Sequence, residues 1–202
     1  MKHMVDLYSG LGGASQSMVD CPGWNVLRIE NNPLLADVPH TVIGDVVDIA
    51  NEVHSNPGFE KLELIWASPP CTAFSGGYCS PKSIASREIG LDNYNPDLSL
   101  MLAALEIIEI TQPKYWVIEN VIGSITYFKE YLGEPRLIIG PYVLWGNFPL
   151  FELDSSLIIK KKWKDPGSRD PLRSNKRAKV DYLISERLRL AIENQKSILS
   201  YD

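Results

Sequence analysis

Two fragments of this chain carry residue types suited to covalent chemistry: Ser68-Pro69-Pro70-Cys71 and, 48 residues beyond the cysteine, Glu119-Asn120-Val121. A thiol is a strong nucleophile once ionised, and a carboxylic acid in reach moves protons. A thiol facing an acid therefore suggests nucleophilic catalysis with acid assistance. Proline locks its own φ and restricts the residue before it, so the two prolines partly fix the backbone leading into Cys71. Taken singly, a cysteine is more often a small core residue and a strand-end glutamate a solvated one. Their joint occurrence, with the amino-terminal segment described next, shifts that balance.

Such side chains need strands to hold them. The apolar run Leu62-Glu63-Leu64-Ile65-Trp66-Ala67 predicts a buried strand with Cys71 emerging at its carboxyl end, and Tyr115-Trp116-Val117-Ile118 predicts another that ends at Glu119. Ligands of open α/β sheets lie at that edge. The chain opens with a third strand, Met4 to Tyr8, running into Ser9-Gly10-Leu11-Gly12-Gly13 and a helix-compatible stretch from about Ala14 to Asp20. Glycines let a ligand approach the backbone closely, and a helix start offers free N–H groups. The spacing is not the dinucleotide-binding pattern, and a purely structural turn stays open at this point. Glu30 closes the run from Trp24 to Ile29, and Asp45 follows Thr41-Val42-Ile43-Gly44. A strand-end acid after the first βα unit is well placed for ribose hydroxyls.

In this order the motifs carry a resemblance. The series Asp6-Leu7-Tyr8-Ser9-Gly10-Leu11-Gly12-Gly13, Glu30, Gly44-Asp45, Pro69-Pro70-Cys71-Thr72-Ala73-Phe74-Ser75 and Glu119-Asn120-Val121 resembles the ordered motifs of the cytosine-C5 DNA methyltransferases over about the first 125 residues. The resemblance implies an α/β, Rossmann-like S-adenosylmethionine-dependent methyltransferase fold, a mostly parallel twisted sheet with helices on both faces. It implies S-adenosyl-L-methionine as cofactor, held by Asp6, Tyr8, Gly10, Gly12, Gly13, Glu30, Asp45 and Pro69. Cys71 is then the nucleophile and Glu119 the acid that holds and protonates cytosine. Ser75, Asn120, Val121 and Arg136 fall on the substrate side, with no metal required. Tyr8 stands where the family usually has Phe, and Thr72 where Gln is common. The family's later Gln-x-Arg-x-Arg motif is not recognisable, and Arg136 is the candidate stand-in.

Composition is that of a globular chain: 202 residues, 45% hydrophobic and 22% charged, without an apolar run of membrane-spanning length. Three cysteines (Cys21, Cys71 and Cys79) form neither a disulfide framework nor a metal pattern, which suits a reducing cytoplasm. Net charge is −5, but from Lys160 to Lys179 nine basic residues face only Asp165 and Asp170. That segment, led by Lys160, Lys161 and Lys162, is an electrostatic footprint for phosphates, or else a solvated loop.

The alternation of strand and helix predicts residues 1–202 as one methyltransferase domain. About 151–180 is a short basic segment in place of a target-recognition domain, and 181–202 is a returning C-terminal helix with Ser185 as its N-cap. The apolar stretch Leu98 to Thr111 predicts a deeply packed helix ended by Pro113, and Gly76 to Asp97 predicts a long loop and candidate lid. A minimal DNA methyltransferase of viral or mobile-element type is the leading reading. RNA as substrate, and a weakly catalytic regulatory subunit that needs a partner protein or self-association, stay open.

Overall fold

The computed structural model describes residues 1–55, 61–158 and 169–195. Seven strands, β1 (Lys2–Leu7), β2 (Trp24–Glu30), β3 (Thr41–Ile43), β4 (Leu64–Ala67), β5 (Tyr115–Val121), β6 (Leu137–Ile139) and β7 (Tyr142–Asn147), form one sheet in the order β3-β2-β1-β4-β5-β7-β6. β1 to β5 pair in parallel, whereas β7 runs antiparallel to both β5 and β6. From β1 the chain winds outward to β2 and β3, then returns to β4 on the other side. Strand order reverses between β1 and β4, and the crevice above their carboxyl ends is the topological switch point where such sheets bind ligands.

Side-chain alternation sorts the strands onto two cores. Met4, Leu64, Trp66, Val117 and Leu144 face Met18 of α1 (Gln16–Val19) and Ile184, Leu188 and Ile192 of α7 (Tyr182–Glu193). Their neighbours Val5, Ile65, Ile118 and Val143 point the other way, toward α2 (Val46–Ser55), α4 (Ser99–Thr111) and α5 (Ile125–Leu132). Helices thus cover both faces, which is why β4 and β5 read as continuous apolar runs. α4 ends where Gln112 takes the left-handed conformation at φ 47°, just before Pro113.

Three local expectations change. The first helix shrinks to Gln16–Val19. The stretch Gly76–Asp97 is not a bare loop, because α3 (Pro81–Glu88) lies inside it. Ser80 accepts from the N–H of Ser83 and Pro81 fills the first helical position, a start signal without an apolar period to accompany it. This segment is tied down by Ser80 Oγ donating to the Ser75 carbonyl (2.6 Å), Tyr94 Oη to the Ala73 carbonyl (2.9 Å) and Lys82 Nζ to the Gly123 carbonyl (2.8 Å). The chain after Cys71 is therefore folded back on the body. Finally, α7 is capped by Asp181, whose carboxylate accepts from the N–H of Leu183. Ser185 is buried inside the helix, and its Oγ accepts from the N–H of Ser17 at 3.1 Å. Lys160, Lys161, Lys162, Ile198 and Leu199 lie outside the described residues.

Candidate active site

β4 and β5 bring the two chemical fragments together. Their register pairs Ala67 with Ile118, so Ser68–Cys71 leave β4 alongside Glu119–Val121, which continue β5 two residues past its expected end at Glu119. Asn120 locks them: its buried side chain donates from Nδ2 to the Pro69 carbonyl at 2.9 Å, and its Oδ1 accepts from the N–H of Val121. Asn120, expected on the substrate side, and Pro69, expected on the cofactor side, instead clasp each other. Cys71 is half-buried and its carbonyl accepts from the N–H groups of Phe74 and Ser75, making a tight turn that presents the thiol. Ser75 braces this turn with its backbone.

The electrostatics differ between the two groups. Burial raises the Glu119 carboxyl from 4.5 to about 7, against the opposing effect of a hydrogen bond from Ser68. Trp66 Nε1 in turn donates to Ser68 Oγ at 2.8 Å, which fixes that hydroxyl. Burial also raises the Cys71 thiol, and the Glu119 charge raises it further, while its own backbone N–H and Arg177 lower it. Tyr142, two residues before Leu144 (the partner of Glu119 on β7), is pushed up to about 12 by burial and then by Glu119 and Asp181. An acid with a pKa near 7 is matched to proton transfer at neutral pH. Ser68 and Tyr142 were not singled out from sequence, although Ser68 opens the motif.

The glycine turn has one open position and two packed ones. Gly10, at φ 52°, leaves space, because the nearest atom to a Cβ built there is Asn175 Nδ2 at 3.9 Å. A Cβ on Gly12 would overlap the Arg28 guanidinium, and one on Gly13 the Val180 carbonyl. These two glycines, expected at the cofactor, let neighbouring groups pack against the turn. Arg28 is almost fully buried, with Nε donating to Ser15 Oγ (2.8 Å) and Nη2 to the Gly12 carbonyl (2.9 Å), while Ser15 Oγ donates to Asp6 Oδ2 (2.6 Å). Asp6, also expected at the cofactor, sits under the turn as the partner of this network, its carboxyl raised to about 6 mainly by burial. Alternation along β2 held the signal for Arg28, which shares a face with the buried Trp24 and Val26.

Tyr8 holds a left-handed φ of 60° and donates from its hydroxyl to the Leu100 carbonyl at 2.8 Å, tying the turn to α4. Phe could not make that bond. Glu30 accepts from the N–H of Gly10 at 2.8 Å and from the N–H of Asn32 at 3.0 Å, which orients its carboxylate at the crevice. Asp45 is exposed and accepts from the N–H of Val47 at 2.8 Å, and among the described residues no hydrogen bond engages its second oxygen. Two carboxylates beside an open glycine and a half-buried ring suit a hydroxyl-bearing nucleoside and repel phosphate. The donor set therefore fits an adenosyl group.

Arg136 lies elsewhere. It precedes Leu137, whose partner Leu144 is level with Glu119, and it runs away from the carboxyl edge. Its Nε donates to the Phe148 carbonyl at 2.8 Å and its guanidinium rests 5.5 Å from the Phe148 ring, which removes it from the substrate-side set. Two surface cavities of about 560 and 420 Å3 flank β6 and the amino end of β5, and neither is lined by a candidate catalytic residue. Among the described residues no cluster of three His, Cys, Asp or Glu is placed to hold a metal, and no helix is long and apolar enough to cross a membrane.

The strand order, the crevice and its donor set define the Rossmann-like fold of the S-adenosylmethionine-dependent methyltransferases. The family model for C-5 cytosine-specific DNA methylases matches residues 2–131, and the chain belongs to that family. It is 28% identical over 149 residues to a protein of Frog virus 3 (isolate Goorha) described as a probable DNA (cytosine-5)-methyltransferase, a match covering 71% of this chain and 65% of that one. It is likewise 28% identical over 140 residues to the type II methyltransferase M.AquIA of a Picosynechococcus strain, covering 63% of this chain and 52% of that one. The chain thus spans about half to two thirds of the length of these relatives. A structure of human methyltransferase-like protein 13 with SAH is similar at TM-score 0.45 and 12% identity, over 97% of this chain and 84% of that one.

Proposed function

We propose that this chain methylates C5 of cytosine in DNA, with Cys71 as nucleophile and Glu119 as acid. The observation that carries this reading is their common placement: one clasp, Asn120 to Pro69, sets a thiol beside a carboxylic acid that burial raises to about 7. Cytosine C5 is a weak nucleophile. Addition of the Cys71 thiolate to C6, with the Glu119 proton passing to N3, converts C5 into an enamine-like carbon able to take a methyl group. A solvent water then takes the C5 proton, the C6–S bond breaks to release the Cys71 thiolate, and N3 returns its proton to Glu119, which restores the ring. S-adenosyl-L-methionine supplies the electrophilic methyl when bound. In a duplex the target base leaves the stack to reach this edge.

The donor is read onto the crevice residues. Glu30 takes the ribose hydroxyls, Asp45 the adenine amine, Tyr8 packs a ring against the base, and the backbone at Gly10 borders the methionine portion. Residues 1–202 are read as one catalytic unit with a short basic segment at about 151–180. Incubation with labelled donor and matched DNA and RNA tests the reading. Label in C5 of DNA cytosine is the expected result; transfer to RNA alone overturns the substrate, and transfer to neither overturns the function.

Donor binding is separable from catalysis. Asp45→Ser retains a helix-capping oxygen but is too short to reach the adenine, and should weaken binding of the demethylated donor by roughly 1.5–3 kcal/mol in calorimetry. Glu30→Ala should weaken it comparably. Unchanged affinity in both variants removes the donor from this crevice.

A further inference from the structure

The sheet leaves the mouth of the site without a cation. Arg136 is turned to Phe148, and no lysine or arginine occurs from Leu137 to Trp145. The carboxylates Glu30 and Asp45 meanwhile give this edge a negative field, while a target nucleotide carries phosphates on both sides of the reacting base. Something must offset that repulsion.

α6 (Arg173–Ala178) lies at this edge. Asn175 Nδ2 faces Gly10, and just past the helix Lys179 Cγ and the Val180 carbonyl close on Gly13. The helix is thereby seated over the glycine turn, next to the crevice that holds Cys71. Its cations are not equivalent. Lys176 Nζ is paired with Asp170 at 2.6 Å. Arg177 is exposed, makes no hydrogen bond or ion pair among the described residues, and stands close enough for its charge to reach the Cys71 thiol.

We propose that Arg177 is the substrate-positioning cation of this site, a two-pronged partner for a phosphate flanking the target base, supplied by α6 instead of by a strand. A guanidinium suits the task because its planar fork matches two phosphate oxygens, where an ammonium offers a point charge. The proposal rests on the methyltransferase reading of Cys71 and Glu119. It also locates the electrostatic footprint of the basic segment at one residue.

The test compares full-length wild type, Arg177→Ala, Arg177→Lys and Lys176→Ala on a duplex oligonucleotide carrying 5-fluorocytosine, by anisotropy across a salt series and by covalent adduct formation. Arg177→Ala should weaken binding roughly 10- to 100-fold. It should also flatten the slope of log affinity against log salt by about one. Arg177→Lys should restore the slope but only part of the affinity, and Lys176→Ala should stay near wild type. Affinity for the demethylated donor should be unchanged in Arg177→Ala, since α6 is seated on the glycine turn by Asn175 and Val180. Wild-type affinity and slope in Arg177→Ala overturn the proposal. So does a parallel loss of donor affinity, which would make Arg177 a prop for α6. A wild-type protein that forms neither adduct nor methylated product overturns the methyltransferase reading itself, and the role of Arg177 falls with it.

Discussion

Cys71→Ser should reduce methyl transfer to background and abolish the denaturation-resistant adduct that wild type forms with 5-fluorocytosine DNA. A serine hydroxyl titrates far above a thiol, so near neutral pH it offers almost no anion to attack C6. Fluorine at C5 cannot leave as a proton does, so the enzyme is held at the step before Cys71 is expelled. Mass spectrometry of the trapped species should place the oligonucleotide on the peptide containing Cys71. Cys79 is the competing thiol. It is exposed in the segment before α3, off the strand end, and Cys79→Ser should keep full adduct yield. Normal turnover by Cys71→Ser would falsify covalent catalysis at this residue.

Glu119→Gln should lose roughly 100- to 10,000-fold in rate, because an amide can hold the base but has no proton to give N3. The same change should stabilise the protein, and the sign follows from linkage. The folded-state pKa is raised from 4.5 to about 7, so between those values the unfolded chain has released a proton that the native chain still holds. Stability therefore falls as pH rises through that window and is lowest above it. Removing the group lifts this cost, by up to about 3 kcal/mol above pH 7 on the scale of 1.36 kcal/mol per pKa unit. Denaturant melts at pH 5 and pH 8 should show the variant's advantage growing with pH. Cys71 should also react faster with iodoacetamide in the variant at pH 8, since the charge that raises its pKa is gone. A rate close to wild type, or a stability difference independent of pH, counts against Glu119 as a buried neutral acid.

β4 and β5 were legible from sequence because each is a short apolar run that meets a proline or an acid, while β1, expected over 4–8, forms over Lys2–Leu7. β2 matches its expected bounds, and β4, expected over 62–68, forms over Leu64–Ala67. The meeting of Cys71 and Glu119 was legible too, since parallel strands deliver their carboxyl ends to one edge whatever lies between. Side-chain partners were not. Nothing in a one-dimensional pattern says that Gly12 yields room to Arg28 or that Asn120 reaches back to Pro69, because both contacts cross from one strand to another. Asp6 shows the same limit: the resemblance implies a cofactor contact there, and only the fold reveals the Ser15 and Arg28 network that engages it. Arg136 misled for a related reason: its guanidinium turns to the Phe148 carbonyl and ring, a contact across the β6–β7 hairpin that no one-dimensional pattern announces. α3 escaped notice because a polar eight-residue helix has caps but no apolar stripe.

The support of the glycine turn has a kinetic consequence. The clasp on the nucleophile turn joins residues 51 apart, whereas the bond between Ser17 and Ser185 joins residues 168 apart. Longer closures cost more chain entropy before any contact rewards them, and folding slows as such distant contacts accumulate. The two halves of the crevice should therefore mature at different times. β4 and β5 can set Cys71 beside Glu119 while the chain is still incomplete, but Gly13 gains its cover only when Val180 and α7 arrive. In refolding from denaturant, the ability to bind demethylated donor should consequently return after Trp145, which packs on the face away from α7, is buried, in the slowest phase.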